Sequence, residues 1–281
     1  MKLSCLPVSL YPELATGRMA LGDWLRLAAA LGLDGADLSV AHLYDTTPES
    51  IAVLRREAED AAISIVMLAS YSDFTQPNAT QRAAEVDGVR AWIEVAAGLG
   101  ASFIRLTAGQ QRADVALMDG LQWATEGLMA ALPDAEQAGI ELLYENHVRG
   151  APWSANDFTQ PAAHFLEVVS RTQSSKLGIL FDTANNLALH EDPLFVLDAV
   201  LERVRALHLS DIRRSGSFEP VLLGTGAAPI QQALERMRAN GFDGWISIEE
   251  ASRTGQHGIQ KAIAWARQRL RDEGPISEVL P

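Results

Sequence analysis

The stretch LGILFDTANNLALHEDPLFVLDAVLERVRALHL, residues 177–209, reads as strand, helix and strand in one unbroken run. Leu177–Asp182 is an apolar run of strand length, Pro193–Leu201 carries helical periodicity, and Val204–Leu209 is again an apolar run. Working outward, the same unit recurs. Further strand candidates are Leu3–Val8, Gly35–Leu38, Ser64–Ala69, Ser102–Thr107, Glu141–Glu145 and Trp245–Glu249, which makes eight. Helical patterns separate them at Leu21–Leu31, Pro48–Ala62, Gln81–Leu99, Asp114–Ala138, Pro161–Arg171, Pro229–Asn240 and His257–Arg271. Leu99-Gly100, Ala138-Gly139 and Asn240-Gly241 are helix stops. Strands recur every 25 to 40 residues or so, the size of a βα unit. Eight such units predict an α/β fold, a single-domain (β/α)8 TIM barrel over residues 1–271, with 272–281 (DEGPISEVLP) as a C-terminal extension. A doubly wound sheet is the rival. It needs a Gly-rich first turn, and none follows the first or second strand; Gly224-Thr225-Gly226 is too short to serve.

The chain has 281 residues, 48% apolar and 21% charged, which excludes a disordered or low-complexity protein. A single cysteine, Cys5, cannot form an internal disulfide and reads as a small buried hydrophobe. Lys and Arg number 23 against 36 Asp and Glu, a formal charge of −13. That argues against a nucleic-acid partner and against an anionic membrane surface. No apolar run reaches membrane-spanning length, and the first residues make a poor signal peptide. A cytoplasmic protein is expected, acting on a small molecule, with homo-oligomerisation left open.

The last four strands each end in a residue type that binds metals: Glu145, Asp182, His208 and Glu249, spaced 37, 26 and 41 residues apart. In a barrel, chemistry sits at the carboxyl ends of the strands. Side chains alternate faces along a strand. Leu142 and Tyr144, Ile179 and Phe181, Leu207 and Leu209, and Ile246 and Ile248 face the helices. Glu145, Asp182, His208 and Glu249 then face the axis, and Glu250 does not. Three carboxylates and an imidazole at one point repel unless a cation joins them. The oxygen-rich donor set suits one divalent ion: manganese, magnesium or cobalt, with zinc admissible.

These segments resemble the xylose isomerase-like superfamily, in particular its sugar phosphate isomerase/epimerase group. The resemblance rests on YENH (144–147), LFDTANNLALHEDP (180–193), HLSD (208–211) and GWISIEE (244–250). AAGLGASFIRLTAG (96–109) and LAAALGLDGADLS (27–39) support it. The resemblance implies that Glu145, Asp182, His208 and Glu249 hold the metal and that Glu145 and Glu249 form the catalytic acid/base pair. The implied reaction is isomerisation or epimerisation of a sugar or keto-polyol, by proton transfer through a metal-stabilised enediolate. Three positions depart from the family's pattern. Ser210 stands where Lys is common, Ala184 where Gly is common, and Asn185 where some ketose epimerases carry a substrate-binding His. These departures bear on the substrate rather than the metal.

Further substrate contacts are expected at His147, Asn185, Arg105 and Arg214. His147 shares the inward face of Glu145 and binds a substrate oxygen, acts as a second acid/base, or packs a loop. Arg105 faces the barrel interior, where a buried guanidinium needs an anion; it orients Glu145 or contacts substrate. Arg213 and Arg214 offer an anion clamp, or a solvated basic pair. Residues 70–74 and Trp153 are candidate pocket walls. Four readings compete: isomerase/epimerase; a metal-dependent lyase that dehydrates a keto-polyol or hydroxylated ring acid; an endonuclease; and a non-catalytic sugar-binding barrel. A chain with six His and a charge of −13 lacks the ligands and basic face of a multi-metal nuclease. The intact ligand quartet argues against a binding-only role.

Overall fold

Eight parallel strands alternate with helices in a computed structural model that describes residues 1–271. They are β1 (Lys2–Leu6), β2 (Gly35–Ser39), β3 (Ser64–Ala69), β4 (Phe103–Leu106), β5 (Glu141–Glu145), β6 (Gly178–Asp182), β7 (Val204–Leu209) and β8 (Trp245–Glu249). Each pairs with its sequence neighbour from β2 round to β8, and β8 pairs in parallel with β1. The seam between β1 and β2 is bridged at its base by Asp34. Its amide donates to the Leu3 carbonyl (2.9 Å) and its carboxylate accepts from the Leu3 amide (2.8 Å). The fold is therefore a single-domain (β/α)8 barrel. The expected extension at 272–281 lies outside the described residues. Among the described residues, no helix is long and apolar enough to cross a membrane.

Strand parity divides the apolar residues into two cores. Outward-facing Leu142, Tyr144, Ile179, Phe181, Leu207, Leu209, Ile246 and Ile248 pack with the helices in the main core. Inward-facing Met67, Leu143, Leu180 and Ala206 form a plug that fills the lower barrel, with Phe103 and Trp245 against it. Above the plug the inward positions turn polar. Apolar side chains close one end, so the polar residues share the other, at the carboxyl ends of the strands.

Two elements differ from the periodicity. The long helix expected over Asp114–Ala138 is two helices, Leu117–Ala130 and Leu132–Ala138. Pro133 near the start of the second cannot donate to the preceding turn, and the helix breaks there. The first strand ends at Leu6 rather than Val8. Pro7 stops the ladder, and a short helical turn, Val8–Leu10, runs into the helix Tyr11–Ala15 over the barrel mouth. That excursion carries Ser9 and Tyr11 to the site.

Candidate active site

Glu145, Asp182, His208 and Glu249 converge at the mouth. Each offers one ligand atom, and the four atoms lie within 4.8 Å of one another. Glu145, Asp182 and His208 are fully buried, while the Glu249 side chain stands at the rim, 23% exposed. His208 Nδ1 lies 2.7 Å from Glu145 Oε1 and 3.0 Å from Glu249 Oε2. The chain turns sharply after β6, so Asp182 Oδ1 accepts from the amides of Ala184 and Asn185 and from Ser210 Oγ, each at 2.8 Å. Its other oxygen, Oδ2, is buried and accepts no hydrogen bond. An unsatisfied buried carboxylate oxygen is costly. A divalent cation among four such donors removes that cost, so the residues present fit a metal.

Arg105 opposes the negative charge. Its Nη1 donates to Glu145 Oε2 at 2.6 Å, and its guanidinium lies 4.8 Å from the Tyr71 ring centroid. Burial alone raises the Glu145 pKa, but Arg105 and His208 outweigh it and hold the carboxyl well below the usual range. Burial disfavours a charged His208, yet Glu145 and Glu249 outweigh it and keep the imidazole protonated well above its ordinary range. Asp182 goes the other way. Burial, then the charges of Glu249 and Glu145, push it up to about 8. Without a cation, protons on Asp182 and His208 take the place of metal charge.

His147 is nearly buried and lines the cavity above the quartet, with Nε2 4.0 Å from Glu145 Oε2. Its Nδ1 lies 3.8 Å from Asp157 Oδ2, and Trp153 packs edge-on against its ring at 5.8 Å between centroids. The cavity holds about 730 Å³, and Tyr11, Tyr71, Arg105 and Glu249 also line it. Two other expected contacts are not brought there. Asn185 spends its side-chain amide on the Asn146 carbonyl (2.9 Å), tying two loops together. Arg214 is exposed and stands outside the cavity wall, because the loop after β7 folds back at Gly216 with a left-handed φ of 78°. The basic side chains at the mouth are instead Arg149 and Arg253, which no periodicity or strand end marks.

Two neighbours of the quartet escape a reading of strand ends. Asn146 joins β5 to β6: its Oδ1 accepts from the Asp182 amide (2.7 Å) and its Nδ2 donates to the Asp182 carbonyl (3.0 Å). Asp211 accepts from the amides of Gly224, Gly226 and Ala228 and shapes the loop after β7. A Cβ on Gly226 would come 2.2 Å from the Ile212 carbonyl oxygen, so the Gly-Thr-Gly run serves this close approach. Glu250, adjacent to Glu249, faces the helices and accepts from the Ser252 amide at 3.1 Å.

A family model described as xylose isomerase-like TIM barrel matches residues 25–269. The chain belongs to that family. A putative hydroxypyruvate isomerase of Streptomyces coelicolor is 27% identical over 237 residues, 79% of this chain and 82% of that protein. An inosose dehydratase of Lacticaseibacillus casei is 23% identical over 131 residues. The chain matches about 42% of that dehydratase's length. Among solved structures, a D-tagatose 3-epimerase-like protein superposes with a TM-score of 0.78 at 19% identity, covering 96% of this chain and 97% of its own. The IOLI protein with a bound zinc atom gives 0.76 at 16% identity, covering 96% and 98%. At these identities the structural likeness is one of fold. The curated relatives carry the names of an isomerase and a dehydratase.

Proposed function

We propose that this protein is a divalent-metal-dependent isomerase or epimerase of a sugar or keto-polyol. One observation carries the reading: four ligand atoms within 4.8 Å beneath a cavity of about 730 Å³. Glu145, Asp182, His208 and Glu249 would hold the ion; manganese, magnesium and cobalt suit the oxygen-rich set, and the zinc of the IOLI protein supports zinc as well. The ion would polarise a carbonyl and its neighbouring hydroxyl and so acidify the carbon between them. Arg105 keeps Glu145 ionised, which suits it to remove that proton. Glu249, at the rim, returns a proton to the adjacent or the same carbon. Arg105, His147 and Tyr71 line the space a sugar would fill. A cytoplasmic setting belongs to the same reading, supported by one buried free cysteine.

The test loads the protein with manganese and incubates it with ketoses in heavy water. Deuterium at carbon, lost in Glu145→Gln, is the expected result. Absence of bound metal in the wild type overturns the reading. A dehydration product instead establishes the second reading, a lyase. His147 favours that one: a buried imidazole beside Asp157, outside the ligand quartet, is placed to assist a departing hydroxyl. The isomerase relative matches over the larger share of the chain and supports the first reading.

A further inference from the structure

Beneath the quartet lies a carboxylate that the reaction above does not use. Asp37, on β2, is fully buried inside the barrel. Its Oδ2 accepts from Ser4 Oγ on β1 (2.9 Å) and from Ser247 Oγ on β8. Trp24 Nε1 donates to its backbone carbonyl at 3.2 Å. The residue is thus held from three directions, with the Met67 amide also facing its carboxyl, yet its second oxygen, Oδ1, is buried without a well-formed hydrogen bond. On the neighbouring strand β8, Ser247 is the register partner of His208. His208 has the matching deficit: its Nε2 is buried with no partner, while Nδ1 faces Glu145 and Glu249. Ser247 stands beside His208 and donates to Asp37, which brings the two groups to neighbouring positions inside the barrel.

Binding a metal would make these deficits complementary. A ligating imidazole presents a lone pair to the ion, so Nδ1 must lose its proton and Nε2 must keep one. A buried N–H then needs an acceptor. We infer that Asp37 is that acceptor, a positioning residue whose Oδ1 receives the His208 Nε2–H and fixes the tautomer in which Nδ1 binds the ion. The inference rests on the quartet being a metal site, as proposed above. Ligating histidines commonly lean on a carboxylate in this way, and loss of such a partner costs roughly 10- to 100-fold in metal affinity.

The experiment compares manganese(II) binding to wild type and Asp37→Asn by calorimetry, with metal-free thermal unfolding of both. The two serine hydroxyls donate, so they retain the amide oxygen of Asn and turn its NH2 toward Nε2–H. Manganese affinity should fall roughly 10- to 100-fold, while the metal-free midpoint stays within a few degrees. Equal affinity, within twofold, overturns the inference, as does a lowered midpoint with unchanged affinity, the mark of a purely architectural residue. A crystal structure of the manganese-loaded wild type tests the same point without a variant. Nε2 and Oδ1 should stand about 2.7 to 3.2 Å apart, and any other acceptor on Nε2 overturns the inference. A wild type that binds no manganese removes the proposed function and this inference together. A wild type that binds one ion as tightly as Asp37→Asn removes the inference alone.

Discussion

The two halves of the barrel do different work. β5 to β8 contribute all four candidate metal ligands, one residue per strand. β1 to β4 and the loops after them contribute none of it. They supply Arg105 against Glu145, Asp37 with Ser4 beneath the site, and Tyr11 and Tyr71 on the cavity wall. The later half concentrates negative charge that no fold tolerates alone, and the earlier half makes it tolerable. A strand-end acid is therefore informative only with its counter-charge, and here the two lie forty residues apart or more.

The largest expected effect comes from the later half. Glu145→Gln should lower metal affinity by on the order of 100-fold or more, measured as metal content after dialysis, since one of the four proposed ligands is lost. Wild-type metal content in that variant would break the comparison at its root.

The next effect belongs to the earlier half. Arg105→Met leaves the Glu145 charge without its guanidinium, so metal-free stability should fall by about 3–5 kcal/mol in denaturant unfolding. Bound metal should recover part of the loss. An equal loss with and without metal would mean that Arg105 acts through packing instead.

A third test uses pH. The Asp182 carboxyl, raised from 3.8 to about 8, is favoured in its protonated form by the fold. Its contribution to metal-free stability is full below about pH 4 and declines as pH rises toward 8. His208, raised above 6.5, likewise stabilises the fold at low pH and loses that contribution above its folded value. Metal must displace these protons, so apparent affinity should rise from pH 6 to pH 8 and the metal-induced increase in Tm should be larger at pH 8. An affinity that is flat across this range would show that neither group holds a proton in the metal-free fold.

The smallest effect sharpens the boundary between faces. Glu250→Gln should leave metal affinity within about twofold of wild type, since its carboxylate faces the helices. A loss equal to that of Glu145→Gln would reverse the parity of β8.

Much of this was legible in the linear chain because barrels repeat. Strand and helix alternate in period, parity chooses a face, and the quartet occupies four equivalent strand ends. What escaped detection lacks a period. Arg149 and Arg253 sit on irregular loops, Asn185 turns to a neighbouring loop, and Arg214 stays in solvent. Asp37 shows why: within GADLS it is one polar residue in a short strand, and its meaning depends on Ser4 and on Ser247, 210 residues away.

The sequence by itself determined the barrel and the residues that face its axis, because both follow from local alternation that each strand carries alone. Only the tertiary structure decided which charges meet. Electrostatic partnership depends on distance in space, and Arg105 to Glu145, Glu145 to His208 and Asp37 to Ser247 become neighbours only when the ring of strands closes.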